Sequence, residues 1–131
     1  SGIEPDGEIV YQCPDNEVGK THLDFGYEGA EALMSKQNPP DAIMTSTDIM
    51  AVGAIKYLNS ARYKIPQDVS VIGFDNIALA TIVEPNLTTI AQPTNKIGEE
   101  AAKILIAKIN GDEDIEDQIM FDPELIIRES T

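Results

Sequence analysis

A chain of 131 residues with 42% hydrophobic content is long enough for one domain with a real core, and its composition is that of an ordinary globular protein. Nine Lys and Arg against 23 Asp and Glu give a net charge of −14, a surface that repels phosphate backbones and anionic lipid, so this chain alone is not expected to bind nucleic acid. No apolar run approaches the ~18 residues of a membrane span and no export signal is visible, although the Ser1-Gly2 start reads as a cut or a tag remnant with which such a signal would have been removed.

Glu8 to Cys13 reads as a first strand, broken by Pro14-Asp15-Asn16. Cys13 is the single cysteine and has no partner for an internal disulfide, which fits a reducing compartment. Inside a strand it is expected to be a small buried hydrophobe rather than a reactive thiol. A helix starts near Asp24, carries Ala30, Leu33 and Met34 on one face and ends before Pro39-Pro40. Ala42-Ile43-Met44 is a short second strand, closed by Thr45-Ser46-Thr47-Asp48. Ser46 or Thr47 offers the short side-chain oxygen that caps the next helix. In that helix Ala51, Ala54, Ile55, Leu58 and Ala61 recur at helical spacing, and Pro66 marks its limit.

Val69-Ser70-Val71-Ile72-Gly73-Phe74 is short, apolar and rich in β-branched residues, as a strand covered on both faces should be. Asp75 and Asn76 follow at once, at the carboxyl end of that strand, the edge of an open α/β sheet where small ligands bind. Ile77 to Val83 is irregular or briefly helical, and Leu87 to Ala91 is another strand. Thr94 opens the longest helix, to about Asn110, with Gly111 as the residue that accepts φ > 0 at its end. Asp112 to Asp117 is an acidic, solvated loop; Ile119 to Phe121 and Leu125 to Ile127 are two last strand candidates around Pro123. The alternation predicts an α/β fold, a three-layer α-β-α sandwich with a mainly parallel sheet.

The run from Ile65 to Pro93 closely resembles the effector-binding core of LacI/GalR-type transcriptional regulators, which has a type I periplasmic-binding-protein-like fold. Thr47-Asp48-Ile49-Met50-Ala51-Val52-Gly53-Ala54 is similar to the family's Asn-Asp-x-Met-Ala-x-Gly-Ala, and Gly26-Tyr27-Glu28-Gly29-Ala30 to its Gly-Tyr-x-Ala helix. Gln92-Pro93, Ile97-Gly98, Ala101 and the closing Pro123-Glu124-Leu125-Ile126-Ile127-Arg128-Glu129-Ser130-Thr131 follow its C-terminal pattern. The resemblance implies the C-terminal part of that core, without the DNA reader, the hinge helix, the first subdomain or the cleft Arg that would lie upstream of Ser1. It divides the chain into a C-terminal subdomain of residues 1–92 and about 118–131, and a crossover helix and strand of about 93–117 that would pack on the first subdomain. It further implies a cytoplasmic homodimer that binds a small effector, a sugar or a related molecule, meets operator DNA only through another domain, and needs no cofactor, metal or membrane. A fragment of an exported sugar-binding protein of the same fold is the rival, and the repressor-like C-terminal run weighs against it.

The resemblance also nominates residues. Asp75 stands at the family's Phe/Tyr-Asp position, where a carboxylate accepts hydrogen bonds from ligand hydroxyls or ring nitrogens. Asp48 mostly fixes a loop and caps a helix in the family, with ligand contact as the second role. Thr47 replaces a ligand-contacting Asn, Gln92 matches a cleft-lining Gln, and Thr21 replaces an aromatic that stacks on sugar or purine, a surface that His22 or Phe25 would have to supply instead. Val52, Lys56, Leu79, Ile82 and Val83 match positions at which family subunits meet. Glu84 and Lys103 stand near positions where the branch that docks a phosphorylated carrier protein tends to have Arg. One His and one Cys make neither a triad nor a metal site, and the carboxylates lack the acidic pair and Lys of a phosphoacceptor domain, so no enzyme is expected. The stripe Ile97, Ala101, Ile104 and Leu105, widened by Ala102, Ile106 and Ile109, is expected to fold back on its own sheet or to pair with a second copy.

Overall fold

The structure, a computed structural model, describes residues 10–13, 19–111 and 118–131. Helix α1 spans His22–Met34, strand β1 Ala42–Met44, helix α2 Asp48–Ser60 and strand β2 Ser70–Phe74. A 3-10 turn at Ala78–Thr81 leads to strand β3, Thr88–Ala91; helix α3 runs over Thr94–Ile109 and strand β4 over Glu124–Ile126. The sheet order is β1-β2-β3-β4, with β1, β2 and β3 parallel and β4 antiparallel on the edge. The mainly parallel α/β reading is therefore borne out.

The core is one cluster in which Ala30, Leu33 and Met34 of α1 meet Ala51, Ala54, Ile55 and Leu58 of α2 and Ile43, Val71 and Leu87 from the sheet side. Each fully buried Ile, Leu or Val there contributes about 1.5–3 kcal/mol. Two glycines let the helices touch. A Cβ on Gly26 would collide with the Met50 carbonyl, and one on Gly53 with the Leu23 carbonyl. Tyr27 and Tyr57 close the same seam edge to face, with ring centroids 5.3 Å apart. The Gly-Tyr and Met-Ala-x-Gly runs of the sequence are thus the two halves of one close helix–helix contact.

The C-terminal residues strap the sheet. Ser130 is buried, and its hydroxyl donates to the Val71 carbonyl at 2.6 Å and accepts from the Thr88 amide at 2.8 Å. Glu129 accepts from the Asn86 backbone amide and from its side-chain amide, both at 3.0 Å. Those bonds, the backbone one first, hold the Glu129 carboxyl below its ordinary value against a smaller desolvation effect. With the folded value the lower one, the contact stabilises above the unfolded value and is lost as pH falls through the folded one.

Four expectations need correction. Residues 10–13 are not strand, and Glu8 and Ile9 lie outside the described residues. Tyr11 packs toward Gly29 of α1, where a Cβ would come within 2.8 Å of its ring. Cys13 is exposed rather than buried, because the strand that would have carried it inward is not formed. Ile119 to Phe121 is not strand either: Met120 is 96% exposed, and the run has no packed face. Helix α3 does not fold back on its own sheet. It has no buried residue, and Leu105, Ile106 and Ile109 are 61%, 59% and 74% exposed. The Gln92-Pro93 step carries the chain past the end of β3 before the helix begins.

Smaller differences have local causes. Helix α2 stops at Ser60, well before Pro66, because Arg62 takes a left-handed φ of 67° and the Tyr63 amide bonds back to the Leu58 carbonyl at 2.9 Å. Gly111, with φ 88°, ends α3 as expected, while the acidic Asp112 to Asp117 loop lies outside the described residues. The helix seam makes a direct prediction: Gly53→Ala should destabilise the fold by about 3 kcal/mol, the top of the usual overpacking range, in urea denaturation.

Candidate functional site

Parallel strands align their ends, so the segments that follow β1, β2 and β3 share one edge of the sheet. They bring Thr45-Ser46-Thr47, Asp75-Asn76 and Gln92 to that edge. The centre of the group is the turn after β2. Asp75 has φ 108° and Asn76 φ 52°, successive left-handed residues with no glycine between them. Asn tolerates that region, whereas an Asp at φ 108° costs about 1–3 kcal/mol and persists only where its surroundings hold it.

The surroundings do hold it. The Asp75 amide donates to the Ile90 carbonyl at 2.9 Å, and the Asn76 amide to Thr89 Oγ1 at 3.3 Å. The next amide, Ile77 N–H, donates to Asp48 Oδ2 at 2.8 Å. Arg128 Nη2 donates to Asn76 Oδ1 at 2.7 Å, and Gln92 Nε2 to Asp75 Oδ1 at 3.0 Å. The half-buried Asp75 carboxylate thus meets Gln92 at the sheet edge, where its acceptor capacity exceeds the one bond Gln92 donates.

Asp48 belongs inside. It is fully buried at the start of α2, and its Oδ1 accepts from the Thr89 hydroxyl at 2.5 Å while Oδ2 takes the Ile77 amide. Gly73 makes the room: a Cβ there would collide with the Asp48 carboxylate. A buried carboxylate is tolerated when donors satisfy it, and here one comes from β3 and one from the turn after β2. These contacts support the structural role weighed for Asp48, not a ligand contact.

Thr47 is half-buried and caps α2, its Oγ1 accepting from the Met50 amide at 3.3 Å. Thr21 caps α1 in a capping box: its Oγ1 takes the Asp24 amide, and Asp24 Oδ2 takes the Thr21 amide at 2.8 Å and the Thr21 hydroxyl at 2.7 Å. Those bonds, the backbone one first, hold the Asp24 carboxyl below its ordinary range. Of the nominated ligand residues, then, Asp75 and Gln92 are joined directly, Thr47 stands at the neighbouring strand end, and Thr21 is engaged at the head of α1. Sequence reasoning marked Asn76 beside Asp75 at the strand end and passed over Gly73, Thr89 and Arg128. A glycine inside an apolar strand, two residues before a polar turn, was the available signal.

A cavity of about 630 Å³ lies between α1 and the free edge of β1, walled by Tyr11, Phe25, Leu33, Met44 and Met50 and reaching Thr45 and Ser46 at the sheet edge. Its walls are mostly apolar, with Thr45 and Ser46 among its few polar groups, the usual make-up of a small-molecule pocket. The expected dimer residues lie apart from the turn. Ile82 is 72% exposed, Leu79 and Lys56 are exposed and Val52 is half-buried, whereas Val83 packs against the core. Among the described residues no group of three His, Cys, Asp or Glu stands ready for a metal ion, and no helix is long and apolar enough to cross a membrane.

Residues 6–131 match the model of the periplasmic binding protein-like domain. The chain is 39% identical over 113 residues to the HTH-type transcriptional repressor CytR of Escherichia coli strain K12, a match that covers 86% of this chain and 33% of that protein. It is 35% identical over 125 residues to the repressor PurR of Salmonella arizonae, covering 94% of this chain and 37% of the relative. Among solved structures, the transcriptional regulator CelR in complex with cellobiose superposes with a TM-score of 0.85 at 28% identity, over 99% of this chain and 38% of that one. A LacI-family sugar-binding transcriptional regulator from Escherichia coli, complexed with phosphate, gives 0.82 at 32% identity, over 99% of this chain and 44% of the other. The chain therefore spans about a third of the length of the curated relatives it matches. These relatives are transcriptional regulators.

Asp48→Ala removes the acceptor of two internal donors, the Thr89 hydroxyl and the Ile77 amide. Each donor left unpaired should cost about 1–3 kcal/mol, read as a lower urea midpoint at unchanged slope.

Proposed function

Because this chain belongs to the periplasmic binding protein-like domain family, in its LacI/GalR-type branch, we propose that it works as the C-terminal part of the effector-binding core of a transcriptional regulator. The observation that carries the reading is the left-handed Asp75-Asn76 turn at the carboxyl edge of the sheet, held from β3, the start of α2 and the C-terminal strap and joined to Gln92. A turn stabilised this heavily keeps a charged acceptor in one place. Such an acceptor suits a small ligand rich in hydroxyl or ring N–H donors, a sugar or a related molecule. Cellobiose is named with one structural neighbour, and sucrose and lactose with others.

In this reading Asp75 accepts from the effector, Gln92 orients Asp75 and lines the cleft at the crossover, and Thr47 offers a hydroxyl from the next strand end. Helix α3 belongs to the crossover to the other subdomain of the core, and its apolar face is part of that junction. The effector binds between the subdomains and favours one angle between them, which is a population shift set by its differential affinity for the two arrangements. No catalytic group takes part. The intact regulator acts in the cytoplasm as a homodimer and reaches operator DNA through another domain, since a chain with net charge −14 repels a phosphate backbone.

Two measurements test this. In the intact regulator, Asp75→Ala should weaken effector binding by about 1.5–3 kcal/mol, the worth of a hydrogen bond to a charged group, or roughly ten- to a hundredfold by calorimetry. An unchanged affinity would make Asp75 structural. Ile82→Asp places a charge in the exposed apolar patch and should shift the dimer to monomer in sedimentation velocity; a surviving dimer would move the interface elsewhere.

A further inference from the structure

The last residues of the chain reach back to the turn that carries Asp75. Arg128 lies just past β4, half-buried, and its backbone amide donates to Thr88 Oγ1 at 2.8 Å. Its guanidinium then donates in two directions, Nη1 to the Leu87 carbonyl at 2.6 Å and Nη2 to Asn76 Oδ1 at 2.7 Å. A planar fork with fixed donor directions, itself anchored at Leu87, holds its second acceptor in a defined place. That acceptor is the side chain of a residue with φ 52°, directly after one with φ 108°.

We infer that Arg128 is a positioning residue for the effector site: it holds Asn76 in the left-handed region and so fixes the direction of the Asp75 carboxylate. The inference rests on the reading of Asp75 as the effector's acceptor. Of the other contacts to the turn, Ile90, Thr89 and Asp48 take its backbone amides, and Gln92 meets the Asp75 carboxylate itself. Arg128 grips the Asn76 side chain, 52 residues away in sequence. The same guanidinium ties the turn to Leu87, whose amide donates to the Ala80 carbonyl in the 3-10 turn at 2.8 Å.

The test needs no effector. Arg128→Met keeps an unbranched stem and removes both donors. In NMR of the 131-residue chain, the Asn76 and Ile77 amides should exchange about tenfold faster or more, as local opening becomes easier, and the Asp75 carboxylate carbon resonance should move. The Val71 and Thr88 amides, held by Ser130, should keep their protection. Adding Asn76→Gly supplies a residue that adopts positive φ at no steric cost, and should return the Asp75 resonance toward its original position. Three results overturn the inference: an unmoved turn in Arg128→Met, a loosened turn that Asn76→Gly does not correct, or a loss of protection or folding across the whole sheet. The last would make Arg128 a general strap. Because no ligand is involved, failure here leaves the effector role of Asp75 intact, and an unchanged effector affinity in Asp75→Ala would undo that role without touching the geometry tested here.

Discussion

A fully buried carboxylate joins the parts of this molecule that form the candidate site. Asp48 opens α2, yet its two oxygens belong to other elements: one takes the Thr89 hydroxyl from β3, the other the Ile77 amide from the segment after β2. A charge with no solvent exposure is stable only while its donors stay in place. The helix, the strand and the turn are therefore fixed relative to one another by the requirement that this group be satisfied. Gly73 in β2 leaves the space, and the same glycine sits two residues before Asp75. The acceptor proposed to meet the effector is placed by the acceptor that never meets solvent.

The turn after β2 shows how such placement is kept. Its left-handed residues would relax if released, and the groups that prevent it come from β3, the start of α2, the segment after β3 and the C-terminal strap. A site assembled from many short contacts to one turn is rigid in itself and sensitive to shifts of the elements that supply them. This is a useful property in a binding module whose ligand must bias one arrangement over another, since the ligand can act only through a difference in affinity between the two.

The remaining surface is uneven. Helices α1 and α2 are welded by glycines that admit a neighbour's backbone carbonyl, and they carry most of the core. Helix α3 carries apolar residues and buries none of them within this chain. Exposed Ile and Leu side chains on one helix forgo stabilisation that a packed neighbour would restore. The asymmetry fits a core in which one subdomain is self-sufficient and the crossover helix serves the junction with another.

Much of this was legible in the residues. The strands at Ala42–Met44 and Ser70–Phe74 and the helices at Asp48–Ser60 and Thr94–Ile109 follow from β-branched runs, helical spacing and caps, which are local signals. The polar pair at the end of β2 marked the edge of the candidate site, because a parallel sheet exposes its strand ends there. Residues 10–13 and Ile119 to Phe121 misled, since an apolar run becomes a strand only if a neighbouring edge accepts it, and no local pattern states that. The same holds for Arg128 and Thr89: their partners lie 52 and 41 residues away, and only folding brings a C-terminal guanidinium onto Asn76 or a strand hydroxyl onto Asp48. The sequence by itself determined which segments are helix or strand and where the polar ends fall. The tertiary structure alone decided which of those polar groups turn inward to satisfy one another and which stay open to a ligand, because that choice depends on donors and acceptors distant in the chain.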